Sequence, residues 1–179
     1  MGSVRGNETN LSLRRKRGDS RDLSTRHIMD LLNSKYIILE IIPTSLKREN
    51  GEVVQLSALK LDGIKLIDRF DYRLNEEKVP IKDFIDMCSY DKESFIYVND
   101  TNTILEEFKN WIQDYPLLII DNEYTKNYLS SIPNPKESIF KYLDILNDDN
   151  AIDKMISKYQ LEPSNYIVDL LYEALIQEL

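Results

Sequence analysis

The sequence predicts an α/β domain, a mixed sheet flanked by helices, and three observations predict it. Residues 36–42 (Tyr-Ile-Ile-Leu-Glu-Ile-Ile) form a nearly continuous apolar run, the pattern of a strand buried on both faces. Residues 53–61 alternate through Val53, Gln55, Ser57 and Leu59, and Asp62-Gly63 then marks a hairpin into a third strand. Beyond Pro80 the apolar period lengthens to that of helices, interrupted by the short aliphatic run Leu117-Leu118-Ile119-Ile120.

Taken in order, residues 1–22 form a basic arm, polar and almost without aliphatic side chains. Such a segment buries too little apolar surface to offset its ordering entropy and is expected to be disordered when free. Residues 23–179 form the domain. Asp22 or Ser24 can cap a short leading helix over 24–33, which Asn33-Ser34 ends. In the third strand Ile64, Leu66, Asp68 and Phe70 share one face, and Lys65, Ile67, Arg69 and Asp71 the other. Ile81, Phe84, Ile85 and Cys88 fit one helix face. Thr103 can cap a longer helix carrying Ile104, Leu105, Phe108, Trp111 and Ile112, which Pro116 stops. After the strand at 117–120, helices are expected around residues 122–131, 136–147, 150–160 and 164–178.

The 179 residues, 42% of them apolar, suffice for one ordinary domain and a tail. The single Cys88 permits no internal disulfide, and no apolar run approaches 18 residues, so no membrane association and a cytoplasmic location are expected. Net charge is −8, unevenly spread: residues 1–26 carry seven basic and three acidic side chains, leaving 16 basic and 28 acidic for the rest, a balance of −12. An acidic body repels polyphosphate at long range, which confines nucleic-acid affinity to local basic patches or the arm. Arg14, Arg15, Lys16 and Arg17 are the candidate nucleic-acid contacts, with a solvated charge run as the other reading.

Strand 36–42 with the residues that follow it, Ile38-Leu39-Glu40-Ile41-Ile42-Pro43-Thr44-Ser45-Leu46, resembles the first motif (D-x-E-T-T-G-L) of the DEDDh, or DnaQ-like, 3′-to-5′ exonucleases, a family of proofreading and RNA-trimming nucleases. The resemblance continues through Val53–Leu61, through Ile67-Asp68-Arg69-Phe70 and through Leu105–Ile112. It implies an RNase H-like fold over residues 36–179. Glu40 falls on the family's first metal-binding Asp and Ile42 on its Glu. Ile120–Leu129 is similar to the second motif, H-N-x-x-F-D-x-x-F-L, with Thr125 at the metal-binding Asp. In the last motif, H-x-x-x-x-D, Asp169 stands at the Asp and Ser164 at the general-base His; Tyr166 is one residue out of phase with the Tyr used by a related subfamily.

Of the five catalytic positions, Ile42, Thr125 and Ser164 lack the competent group, and Glu40 and Asp169 remain as acids. Two-metal phosphodiester hydrolysis needs about four carboxylates to hold both cations. Loss of the general base alone costs about 10²- to 10⁴-fold in rate. Glu40 and Asp169 could hold at most one weakly bound ion. Glu40 could equally be a buried acid hydrogen-bonded to Tyr166 or Ser164, and Asp169 a solvated or helix-pairing acid. The reading is a catalytically degenerate exonuclease-like protein, a binding or scaffolding module for a protein or nucleic-acid partner, with no cofactor expected. The alternative is a residual metal-dependent 3′-to-5′ exonuclease on single-stranded DNA or RNA, using Mg²⁺ or Mn²⁺ on Glu40, Asp169 and a third acid such as Asp121 or Glu123.

Overall fold

The structure, a computed structural model, describes residues 28–79, 95–164 and 166–179. The arm, the start of the leading helix and the segment containing Ile81–Cys88 lie outside the described residues, so those expectations are not addressed; residues 28–32 are helical. The elements that follow are β1 (Lys35–Pro43), β2 (Val53–Asp62), β3 (Lys65–Leu74), β4 (Ile96–Val98), α1 (Thr101–Ile112), β5 (Leu117–Ile119), α2 (Glu123–Tyr128), β6 (Lys136–Ser138), α3 (Ile139–Tyr142), α4 (Ala151–Tyr159) and α5 (Ile167–Glu178).

The six strands form one mixed sheet in the order β4-β3-β2-β1-β5-β6. β1 is antiparallel to β2 and parallel to β5, so its apolar run occupies the middle of the sheet. Its odd-numbered residues Ile37, Leu39 and Ile41 pack in a core with Phe70 of β3 and Ile104, Phe108 and Ile112 of α1. On the other face Tyr36 and Ile38 pack with Met155 of α4 and Val168, Leu171 and Leu175 of α5. This is an α/β architecture with helices on both faces of the sheet, compatible with the RNase H-like arrangement. Among the described residues no helix is long and apolar enough to cross a membrane.

Several local expectations are corrected. The cap of α1 is Asp100, whose Oδ1 accepts the Thr103 N–H at 2.8 Å and its hydroxyl at 3.0 Å; Thr103 is the capped residue. Residues 136–138, expected to be helical, extend the sheet by pairing with Leu117–Ile119, and only Ile139–Tyr142 forms a helix. Lys136 and Glu137 carry no strand propensity, so that pairing is a tertiary choice. β4, which the sequence did not suggest, pairs in parallel with Tyr72–Leu74. The β2–β3 hairpin forms as expected. Its Gly63 has φ +60°, and a Cβ there would lie 2.7 Å from the Leu32 carbonyl oxygen.

Candidate functional site

The registers of β1, β2 and β3 place Glu40 opposite Ser57 and Ser57 opposite Asp71, one transverse row of side chains on the face covered by α5. In the next row Gln55 lies opposite both Ile42 and Arg73. These polar groups are buried: Glu40 is 4% exposed, Asp71 and Arg73 6%, and Gln55 and Ser57 are sealed completely. Buried polar groups persist when they are satisfied. Arg73 donates to Gln55 Oε1 through Nη2 at 2.7 Å and Nε at 3.2 Å, and Gln55 Nε2 donates to Ser57 Oγ at 3.1 Å.

Glu40 is the exception. Its carboxyl meets the backbone N–H of Ile167 at the start of α5, but Oε1 has no hydrogen-bond partner among the described residues. Burial, opposed in part by that N–H and reinforced by the nearby charges of Asp169 and Asp71, pushes its pKa up to about 7. The partners suggested by the sequence are engaged elsewhere: the Tyr166 hydroxyl donates to Asp71 Oδ1, and Ser164 Oγ accepts the Tyr166 N–H at 3.0 Å.

At the C-terminal end of β1 a cleft of about 590 Å³ is lined by Glu40, Ile42, Thr125 and Ser164, four of the five motif positions, together with Tyr124, Asp153, Ile120, Ile152, Ile156 and Ile167. Nearby, the β1–β2 loop packs closely on α2. Tyr128 donates to the Ser45 carbonyl at 3.0 Å, and a Cβ at Gly51 would lie 1.9 Å from the Tyr128 hydroxyl oxygen, so the close approach requires glycine. Thr125 is buried in the first turn of α2, its N–H donating to the capping Asn122 Oδ1 at 2.9 Å. Ile42 is half-buried and Ser164 exposed. Among the described residues no lysine, arginine or histidine lines this cleft.

Asp169, the fifth position, points to β3. Its Oδ1 accepts from Arg69 Nη1 at 3.2 Å, and Arg69 Nε donates to Asp71 Oδ2 at 3.2 Å. Arg69 Nη2 also donates to the Tyr166 hydroxyl, and the guanidinium lies 5.2 Å from the Tyr166 ring centre. Burial draws the Arg69 pKa down, but Tyr166, Asp169 and Asp71 more than offset that, and it stays charged. Asp169 is raised by burial, with Arg69 opposing. The third acid near Glu40 is thus Asp71, which the sequence analysis did not select. Asp121 instead pairs with Lys126 at 2.7 Å, and Glu123 lines a separate cleft beside Lys47 and Arg48.

The fit to the metal pair implied by the resemblance fails on the donors. Ile42 and Thr125 bring no charge, Asp71 and Asp169 already hold a guanidinium, and among the described residues no three His, Cys, Asp or Glu side chains stand close enough to share a metal ion.

Fold and site together define an α/β domain with a cleft at the carboxyl end of its central strand, where α/β sheets commonly bind ligands. No protein-family profile matches the chain. Over 85 residues, 48% of the chain, it is 22% identical to the PolC-type DNA polymerase III of Staphylococcus haemolyticus (strain JCSC1435), and over 84 residues, 47% of the chain, 21% identical to that of Staphylococcus aureus (strain bovine RF122 / ET3-1). The chain covers 6% of the length of each. This weak, partial similarity is consistent with the exonuclease resemblance.

Proposed function

We propose that this protein is a non-catalytic member of the exonuclease-like domains, a binding module built on a nuclease scaffold. One observation carries the reading: a cleft stands at the end of β1, but the motif positions lining it are Ile42, Thr125, Ser164 and an acid held near neutrality, while Asp169 is tied to Arg69. The donors that a metal pair needs to ionise a water at neutral pH are not in that lining. The module's partner is a protein or a nucleic acid, the latter reached through Arg14, Arg15, Lys16 and Arg17 of the arm. The resemblance includes proofreading nucleases, and similarity to a DNA polymerase III supports a setting in nucleic-acid metabolism; it is also what favours the second reading, a residual 3′-to-5′ exonuclease dependent on Glu40 and Asp169.

Labelled single-stranded DNA and RNA incubated with the purified full chain and Mg²⁺ or Mn²⁺ separate the two. Intact oligonucleotides are expected. Release of nucleotides that disappears in Glu40→Ala or Asp169→Ala protein overturns the non-catalytic reading.

A further inference from the structure

Three carboxyl groups from three elements converge beneath the start of α5: Glu40 of β1, Asp71 of β3 and Asp169 of α5. Asp71 and Asp169 both oppose ionisation of Glu40, and Asp71 opposes that of Asp169. Such a group of acids needs a positive charge among them. Glu40, 4% exposed and with Oε1 unpartnered among the described residues, is the sign that this need is incompletely met.

We infer that the guanidinium of Arg69 is the resident cation of this site, bridging Asp71 and Asp169 and holding the Asp169 carboxylate that a divalent metal would need. The geometry is that of a bridge. Nε meets Asp71 Oδ2 and Nη1 meets Asp169 Oδ1, each at 3.2 Å, while Nη2 meets the Tyr166 hydroxyl, which itself donates to Asp71 Oδ1. A planar fork with several N–H donors can serve two carboxylates and a phenol at once; a lysine ammonium, a point charge, cannot do so in this plane. The arrangement follows from the chain. Alternation along β3 puts Arg69 and Asp71 on the same side, and Tyr166 and Asp169 are one helical turn apart where α5 begins.

Guanidinium and metal therefore compete, because a metal on Asp169 would need the carboxylate oxygens that Arg69 engages. The inference deepens the non-catalytic reading and rests on it for the location of the site.

The test is Mn²⁺ binding to the full chain, read from the paramagnetic resonance of free aquo-Mn²⁺, with circular dichroism to establish folding. Wild type is expected to bind weakly, and Arg69→Ala to bind at least about tenfold more tightly. That gain should vanish in Arg69→Ala/Asp169→Asn, and Mn²⁺ should raise the melting temperature of Arg69→Ala but not of wild type. Arg69→Lys, which keeps the charge and loses the fork, should show a smaller gain and serves if the alanine variant does not fold. A folded variant with no gain over wild type, wild type binding as tightly as the variant, or a gain that survives Asp169→Asn each overturns the inference. Nuclease activity in wild type would defeat the non-catalytic reading without changing these affinities, so the two failures are distinguishable.

Discussion

The two faces of the central sheet solve burial differently. On the α1 face, Phe70 stacks on Tyr72 at 4.1 Å and meets the Phe108 and Trp111 rings at 5.3 and 5.4 Å. The polar atoms there sit at its rim and are satisfied: the Trp111 indole N–H donates to Asp68 at 2.9 Å, and Lys60 Nζ donates to the Trp111 carbonyl at 2.6 Å while lying over the Trp111 and Tyr115 rings. On the α5 face the same three strands present Glu40, Ser57, Asp71, Gln55 and Arg73, buried and polar. An apolar filling of equal volume would be as stable or more so. The first face is what a sheet needs to fold. The second carries groups that cost stability and persist beside a cleft, which is the mark of a site rather than of a core.

This contrast can be broken by removing each face's central element. The largest effect is expected on the aromatic face, where Phe108 is fully buried and touches Phe70 and Trp111. Phe108→Ala should destabilise by about 4 kcal/mol through lost transfer energy and a residual cavity, read as a lowered urea midpoint with an unchanged slope. A loss below about 1 kcal/mol would mean that this face is not the stabilising one.

The polar face should respond to pH. The folded pKa of Glu40, about 7, lies above its ordinary value of 4.5. The native state therefore holds this proton more tightly than the unfolded chain does. Its contribution is fully present below pH 4.5 and is lost as pH rises through about 7. The whole swing is roughly 3 kcal/mol, against Asp71, Asp169 and Tyr124 as the neighbouring titratable groups. Denaturation at mildly acidic and mildly alkaline pH should show this fall in wild type and a flatter dependence in Glu40→Gln. Parallel profiles would place the missing hydrogen bond of Glu40 in a partner not yet seen.

The smallest effect on stability is expected from the arm. A protein starting near Leu23 should unfold at the same denaturant concentration as the full chain, yet lose most of its affinity for nucleic acid, because the remainder carries −11. Fluorescence anisotropy at about 50 and 200 mM salt should show the full chain's affinity falling steeply if Arg14 to Arg17 meet phosphates. Equal affinity of the two proteins would shift the proposed partner from nucleic acid to protein.

The sequence by itself determined what depends on neighbours along the chain. The apolar run at 36–42, the Asp62-Gly63 hairpin and the apolar stripe of α1 follow from periods of two and 3.6 residues and turn chemistry, and each is found where the pattern puts it. The two faces expected of β3 hold only from Asp68 onward, because a register shift beside Lys60 and Leu61 sets Leu66 opposite Leu61, on the other face from Asp68. The motif spacing also brought Glu40, Ile42, Thr125 and Ser164 to one cleft. The tertiary structure alone decided who partners whom. Arg69 and Asp169 lie 100 residues apart, and Tyr166 and Asp71 lie 95 apart. No local period reports such a pair, since a charged residue on a strand face reads as solvated until the element that covers it is known. The same holds for Lys136–Ser138, whose strand character comes from the edge of β5 and not from its own residues. Motif position identified which acids remain; packing decided that one would be left nearly neutral and that another would be claimed by an arginine.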